Sequence, residues 1–64
     1  MDEKINRIIM DYNENSNKGI LTAQKHMNGF YSLSLGASPI ISGISAKEAF
    51  LIVASIRNYA KLTQ

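Results

Sequence analysis

Cysteine is absent from this sequence, which excludes disulfides and thiolate metal ligands together. His26 is the one histidine, and a single imidazole does not make a zinc site that needs three or four such ligands. The chain is therefore expected to carry no metal and no cofactor. Tryptophan is missing too, and proline occurs once, at Pro39. Long apolar runs are also lacking. The longest, "AFLIVA" from Ala49 to Ala54, is far short of the roughly 20 residues a membrane span needs. The N-terminal stretch "MDEKINRIIMDYNEN" is charged and has no apolar h-region of the kind found in a secretory signal. Together with the missing cysteines, which fit a reducing compartment, these features lead to the expectation of a cytoplasmic protein without membrane contact.

What is present is enough for one small folded domain over residues 1–64. Apolar residues make up 45% of the chain, too many for a disordered polymer. A chain of this length buries only about 60% of the surface its unfolded form exposes. With disulfides and metals excluded, oligomerisation is the remaining common supplement.

Charge is divided along the chain. Asp2, Glu3, Asp11 and Glu14 outnumber Lys4 and Arg7 by two, whereas Lys18, Lys25, Lys47, Arg57 and Lys61 outnumber Glu48 by four. That division suits an N-terminal segment lying against the C-terminal part of the same or another copy, and it leaves a mildly basic half attractive to anions.

From Asp2 the pattern is helical: Ile5, Ile8, Ile9 and Tyr12 recur at three- and four-residue spacing. "NENSNKG", residues 13–19, is poor in helix formers. Even so, Ile9, Tyr12, Ser16, Gly19, Ala23, His26, Phe30 and Leu33 keep a four-three rhythm through it. The first expectation is thus an all-α fold whose long N-terminal helix has a weak waist or kink, with a break near Gly19 close behind. The alternative is α+β with a hairpin at residues 20–35: Asn28-Gly29 is a strong hairpin signal and "YSLSL" alternates as a strand does. Against it, "TAQKHM" favours helix.

The stretch "SLGASPIISGISAKEAF" reads as the end of one helix and the start of another. Gly36 and Pro39 close the first. Ser45-Ala46-Lys47-Glu48 matches the capping box S-x-x-E and opens a helix expected from Ala46 to about Leu62. Its glycine- and serine-rich approach is also an anion-site candidate, although "GISAK" lacks the P-loop pattern.

The C-terminal helix is apolar over most of its circumference, so one partner helix cannot cover it. A helix over residues 3–35 would be about 50 Å long, against about 25 Å for residues 46–62. Both mismatches point to a homo-oligomer with an interface at Ile5, Ile9, Tyr12, Phe50, Leu51, Ile52, Val53 and Ile56.

No catalytic site is expected. His26 with a serine and an acid can be drawn as a triad, but nothing in the sequence fixes its geometry, and Asp11 with Glu14 reads as a solvated pair. The expected function is non-enzymatic: a small regulatory protein, of a build also used by virus-encoded proteins, that inhibits, sequesters or joins partners through helical surfaces. The alternative is sequestration of an anionic small molecule such as a nucleotide at a subunit interface. For that ligand the candidate residues are Ser42, Gly43, Ser45, Lys47, Arg57 and Tyr59, although the favoured role for Arg57 is an interchain pair with an acid of the N-terminal segment. A weakly nucleic-acid-binding dimer is the third reading, disfavoured because the basic residues are dispersed.

Overall fold

The computed structural model describes residues 1–62. It contains two helices and three strands in the order α1 (Asp2–Asn15), β1 (Leu21–Lys25), β2 (Tyr31–Leu35), β3 (Ser38–Ile44) and α2 (Ala46–Leu62). The strands form an antiparallel sheet in the order β1-β2-β3. The fold is therefore α+β. The all-α expectation, with its long N-terminal helix, is overturned, and the hairpin over residues 20–35 is what the chain forms.

The physical reason lies in which repeat is filled by large apolar residues. The four-three rhythm beyond Tyr12 depended on Ser16, Gly19, Ala23 and His26, small or polar residues that bury little. The competing two-residue repeat is occupied by Leu21 and Ala23 in β1 and by Tyr31, Leu33 and Leu35 in β2. Leu21, Tyr31 and Leu33 are buried, while Ser32 and Ser34 alternate with them on the other face. Fully burying a side chain such as Leu33 stabilises by about 1.5–3 kcal/mol, more than the helix propensity of "TAQKHM" supplies.

Helix α1 stops at Asn15, where Ser16 is already extended at φ −132° and ψ 142°. Asn13 fixes the path that follows. Its side-chain amide donates to the Leu21 carbonyl at 3.0 Å and its oxygen accepts from the Leu21 N–H at 2.8 Å. One side chain thus occupies both outward backbone groups of an edge-strand residue, as a neighbouring strand would.

Two tight turns build the sheet. Between β1 and β2 the Gly29 N–H donates to the His26 carbonyl at 2.9 Å, and Asn28 accepts from the Phe30 N–H at 3.1 Å. Between β2 and β3, Leu35 faces Ser38 across a loop of Gly36 and Ala37. Gly36 has φ +60°, the backbone that a two-residue hairpin demands at its first central position. The segment read as a helix end is thus a strand-to-strand turn.

Strand β3 is less regular. Tyr31 faces Ile44, Leu33 faces Ile41 and Ser34 faces Pro39, so β3 accommodates two bulges against β2. Gly43 supports one of them at φ +71°. Pro39 is tolerated because β3 is an edge strand, and bulges and proline together discourage pairing with a further chain.

Both helices lie on the apolar face of the sheet. Asp2 reaches Lys25 at one end of β1 while Asn13 holds Leu21 at the other, so α1 runs antiparallel to β1. Helix α2 starts directly after β3 and runs along β2, parallel to α1. The core joins Ile5, Ile8 and Tyr12 of α1 to Leu21, Tyr31, Leu33 and Ile44 of the sheet and to Ala49 and Val53 of α2.

This arrangement corrects the length argument for an oligomer. Helix α1 is 14 residues and α2 is 17, about 21 and 25 Å at 1.5 Å per residue. Ile5, Ile8 and Tyr12 are covered by the chain's own sheet and second helix.

The C-terminal helix has the bounds expected from its capping box. Glu48 N–H donates to the Ser45 hydroxyl at 3.2 Å and Ser45 N–H donates to the Glu48 carboxylate at 2.9 Å. Ile44, just before the cap, and Ala49 are both in the core.

A candidate binding cleft at the C-terminal end of the second helix

The anion-site candidates are dispersed in the chain. Ser42 and Gly43 lie on exposed β3, Ser45 is occupied by the capping box, and Lys47 is exposed on the first turn of α2. Arg57 and Tyr59 lie three turns or more along α2, about 18 Å from Ser45 at 1.5 Å per residue. A single chain does not bring the six together.

Arg57 is instead held at the contact between the helices. Its guanidinium lies 3.8 Å from the Asp11 carboxylate, and Lys61 reaches the same oxygen at 3.3 Å. Asp11 also accepts from the Asn15 side chain at 3.0 Å, and Arg57 donates to Asn58 at 3.2 Å. Arg57 thus meets an N-terminal acid of its own chain, where an interchain pair was expected, and the acidic α1 lies against the basic end of α2. Such half-exposed pairs contribute up to about 1 kcal/mol each.

Glu48 is clearly displaced from its ordinary titration value. The Ser45 backbone N–H, followed by the Ser45 hydroxyl, holds its carboxyl below the usual carboxylate value. The cause is the cap, and nothing at this position resembles an acid–base couple.

The expected interface residues separate into three groups. Ile5, Tyr12 and Val53 are buried in the chain's own core, and Ile9, Phe50, Ile52 and Ile56 are partly buried against it. Leu51 is 54% exposed.

The fold does assemble a serine with a histidine. His26 Nε2 lies 2.6 Å from Ser32 Oγ, across the β1–β2 turn on the exposed polar face of the sheet. No acid orients the other ring nitrogen among the described residues, so the arrangement is a cross-strand hydrogen bond. Among the described residues there is no cluster of three or more metal-ligating side chains, and no helix is long and apolar enough to cross a membrane.

What the fold does build is a cleft of about 360 Å³, within the size range of small-molecule sites. It lies where the C-terminal halves of the helices pass the Leu35 end of β2. Ser55, Ile56, Tyr59 and Ala60 of α2 form one wall, Leu35 and Lys18 another, and Tyr12 of α1 contributes from below. The lining is apolar apart from hydroxyls and the Lys18 ammonium. Ser55 donates to the Leu51 carbonyl at 2.8 Å, which commits its proton within the helix.

Of these seven, the sequence reading singled out Tyr12, Ile56 and Tyr59, the first two as interface and the third as a ligand contact. Leu35 and Lys18 escaped it, because their convergence depends on the β2–β3 turn and on the connector before β1. Tyr12 and Tyr59, tyrosines on opposite helices, were the available signal. Compared with known proteins, the chain matches no family model, no curated protein and no solved structure.

Proposed function

We propose that this is a non-enzymatic binding protein that sequesters a small, largely apolar ligand in the cleft at the C-terminal end of α2. The carrying observation is that cleft: concave, apolar and lined from both helices, the sheet and the connector. Among the described residues no nucleophile–base–acid arrangement lines it, and the action proposed is occupancy. The cytoplasm is the compartment we propose.

The test is a titration with Nile red, an uncharged dye that brightens in apolar surroundings. One dye per chain should bind saturably, and Ala60→Phe, which fills the cleft, should abolish the signal while leaving the circular dichroism spectrum unchanged. Dye binding that survives Ala60→Phe in a folded chain would put the apolar site elsewhere and contradict the reading.

Self-association is the second reading, favoured by the exposure of Leu51, Tyr59 and Leu62 along α2. Sedimentation equilibrium tests it. A dimer mass that falls to the monomer value in Leu51→Lys supports it; a monomer mass at the highest soluble concentration overturns it.

A further inference from the structure

The cleft's polar groups narrow the ligand's chemistry, and this inference rests on the binding reading above. Lys18 is the only charged side chain among the described lining residues. Its ammonium takes part in no ion pair or hydrogen bond with the described residues. The nearby acid, Asp11, is engaged by Arg57 and Lys61.

Tyr12 supplies a second, independent observation. It is 4% exposed and lines the cleft, yet its hydroxyl makes no hydrogen bond with the described residues. The hydroxyl is not among the sealed, partnerless groups of the core, so it stays open to a ligand acceptor on the cleft side. The site therefore offers two uncommitted donors, the Lys18 ammonium and the Tyr12 hydroxyl, and no acid among its described lining residues. A group that accepts from both and carries negative charge complements them.

We propose that the ligand is an amphipathic anion, a short alkyl or aryl chain ending in a carboxylate. The carboxylate sits at Lys18 and Tyr12, and the chain lies against Leu35, Ile56 and Ala60. Size agrees: 360 Å³ holds about a dozen water-sized groups at roughly 30 Å³ each, and octanoate has about that many heavy atoms.

Isothermal titration of the full chain with hexanoate, octanoate, 1-octanol and octylammonium tests the assignment. Octanoate should bind one per chain and tighter than hexanoate, by about fourfold per methylene. Octylammonium should bind at least tenfold more weakly than octanoate. Lys18→Met should weaken octanoate by about tenfold, the loss of a charged hydrogen bond, while leaving octanol unchanged. Tyr12→Phe should weaken octanoate severalfold in a chain whose melting curve shows it folded.

If octanoate and octanol bind alike and Lys18→Met changes neither, the anionic class is wrong although the cleft still binds. If octylammonium binds as tightly as octanoate, the class is wrong in sign. If none of the four binds saturably while Nile red does, the inference fails alone; if Nile red fails as well, the binding reading fails with it.

Discussion

The two helices are of similar length and lie side by side on one sheet, yet they use their apolar residues differently. Helix α1 has a narrow apolar stripe, and Ile5, Ile8 and Tyr12 are all buried. Helix α2 is apolar around most of its surface but buries only Ala49 and Val53. Phe50, Ile52 and Ile56 are half-covered, and Leu51, Tyr59 and Leu62 are exposed. A helix satisfied by its own fold needs one stripe; a helix with apolar residues left over has material for binding. In this chain part of that excess is gathered into the cleft with Tyr12 and Leu35.

The comparison breaks most sharply by truncating one apolar residue from each helix. Ile5→Ala should cost about 2–5 kcal/mol, the range for emptying a core site, whereas Leu51→Ala should stay within about 0.5 kcal/mol, as surface changes do. Urea unfolding followed by circular dichroism measures both. Equal losses would mean that α2 is covered where the structure exposes it.

Asn13→Ala comes next. It leaves the Leu21 N–H and carbonyl without their partner at a half-buried edge, a loss of about 1–3 kcal/mol, and amide exchange at Leu21 should accelerate. An unchanged exchange rate would show that Asn13 does not hold the edge.

Ser45→Ala probes the start of α2 and should cost about 1 kcal/mol. The cap also has a pH signature. Glu48 has a folded-state pKa below its unfolded value, so its contribution is fully present above the ordinary carboxylate range and is lost as pH falls through the lowered folded value. Removing the cap should flatten the acid limb of the stability curve. A limb of unchanged slope in Ser45→Ala would assign the acid sensitivity to other carboxylates.

The smallest change concerns the other buried tyrosine. The Tyr31 hydroxyl is sealed in the core with no hydrogen-bond partner among the described residues. Tyr31→Phe should therefore leave stability unchanged or raise it by up to about 1 kcal/mol. A clear loss in urea unfolding would reveal a partner for that hydroxyl.

Helix α2 was legible in the sequence because its signals are local: the Ser45–Glu48 capping box sits immediately before the apolar run. The hairpin signals, Asn28-Gly29 and the alternation in Tyr31–Leu35, were legible as well but were outweighed by a four-three rhythm made partly of small residues. Sequence spacing does not say how much area each member of a repeat buries, and burial decides between the two periods. Pro39 read as a terminator because its place on an edge strand depends on tertiary structure. The cleft was legible only in part, since Lys18 and Leu35 meet α2 through two turns whose geometry no local pattern encodes.

The most direct test of the account is a methyl-resolved NMR titration of the full chain with toluene, an uncharged apolar probe. Shifts should saturate together at Leu35, Ile56 and Ala60 and leave Leu51 and the β3 isoleucines in place. A response centred on Ile40 and Ile41, or none that saturates, would contradict it.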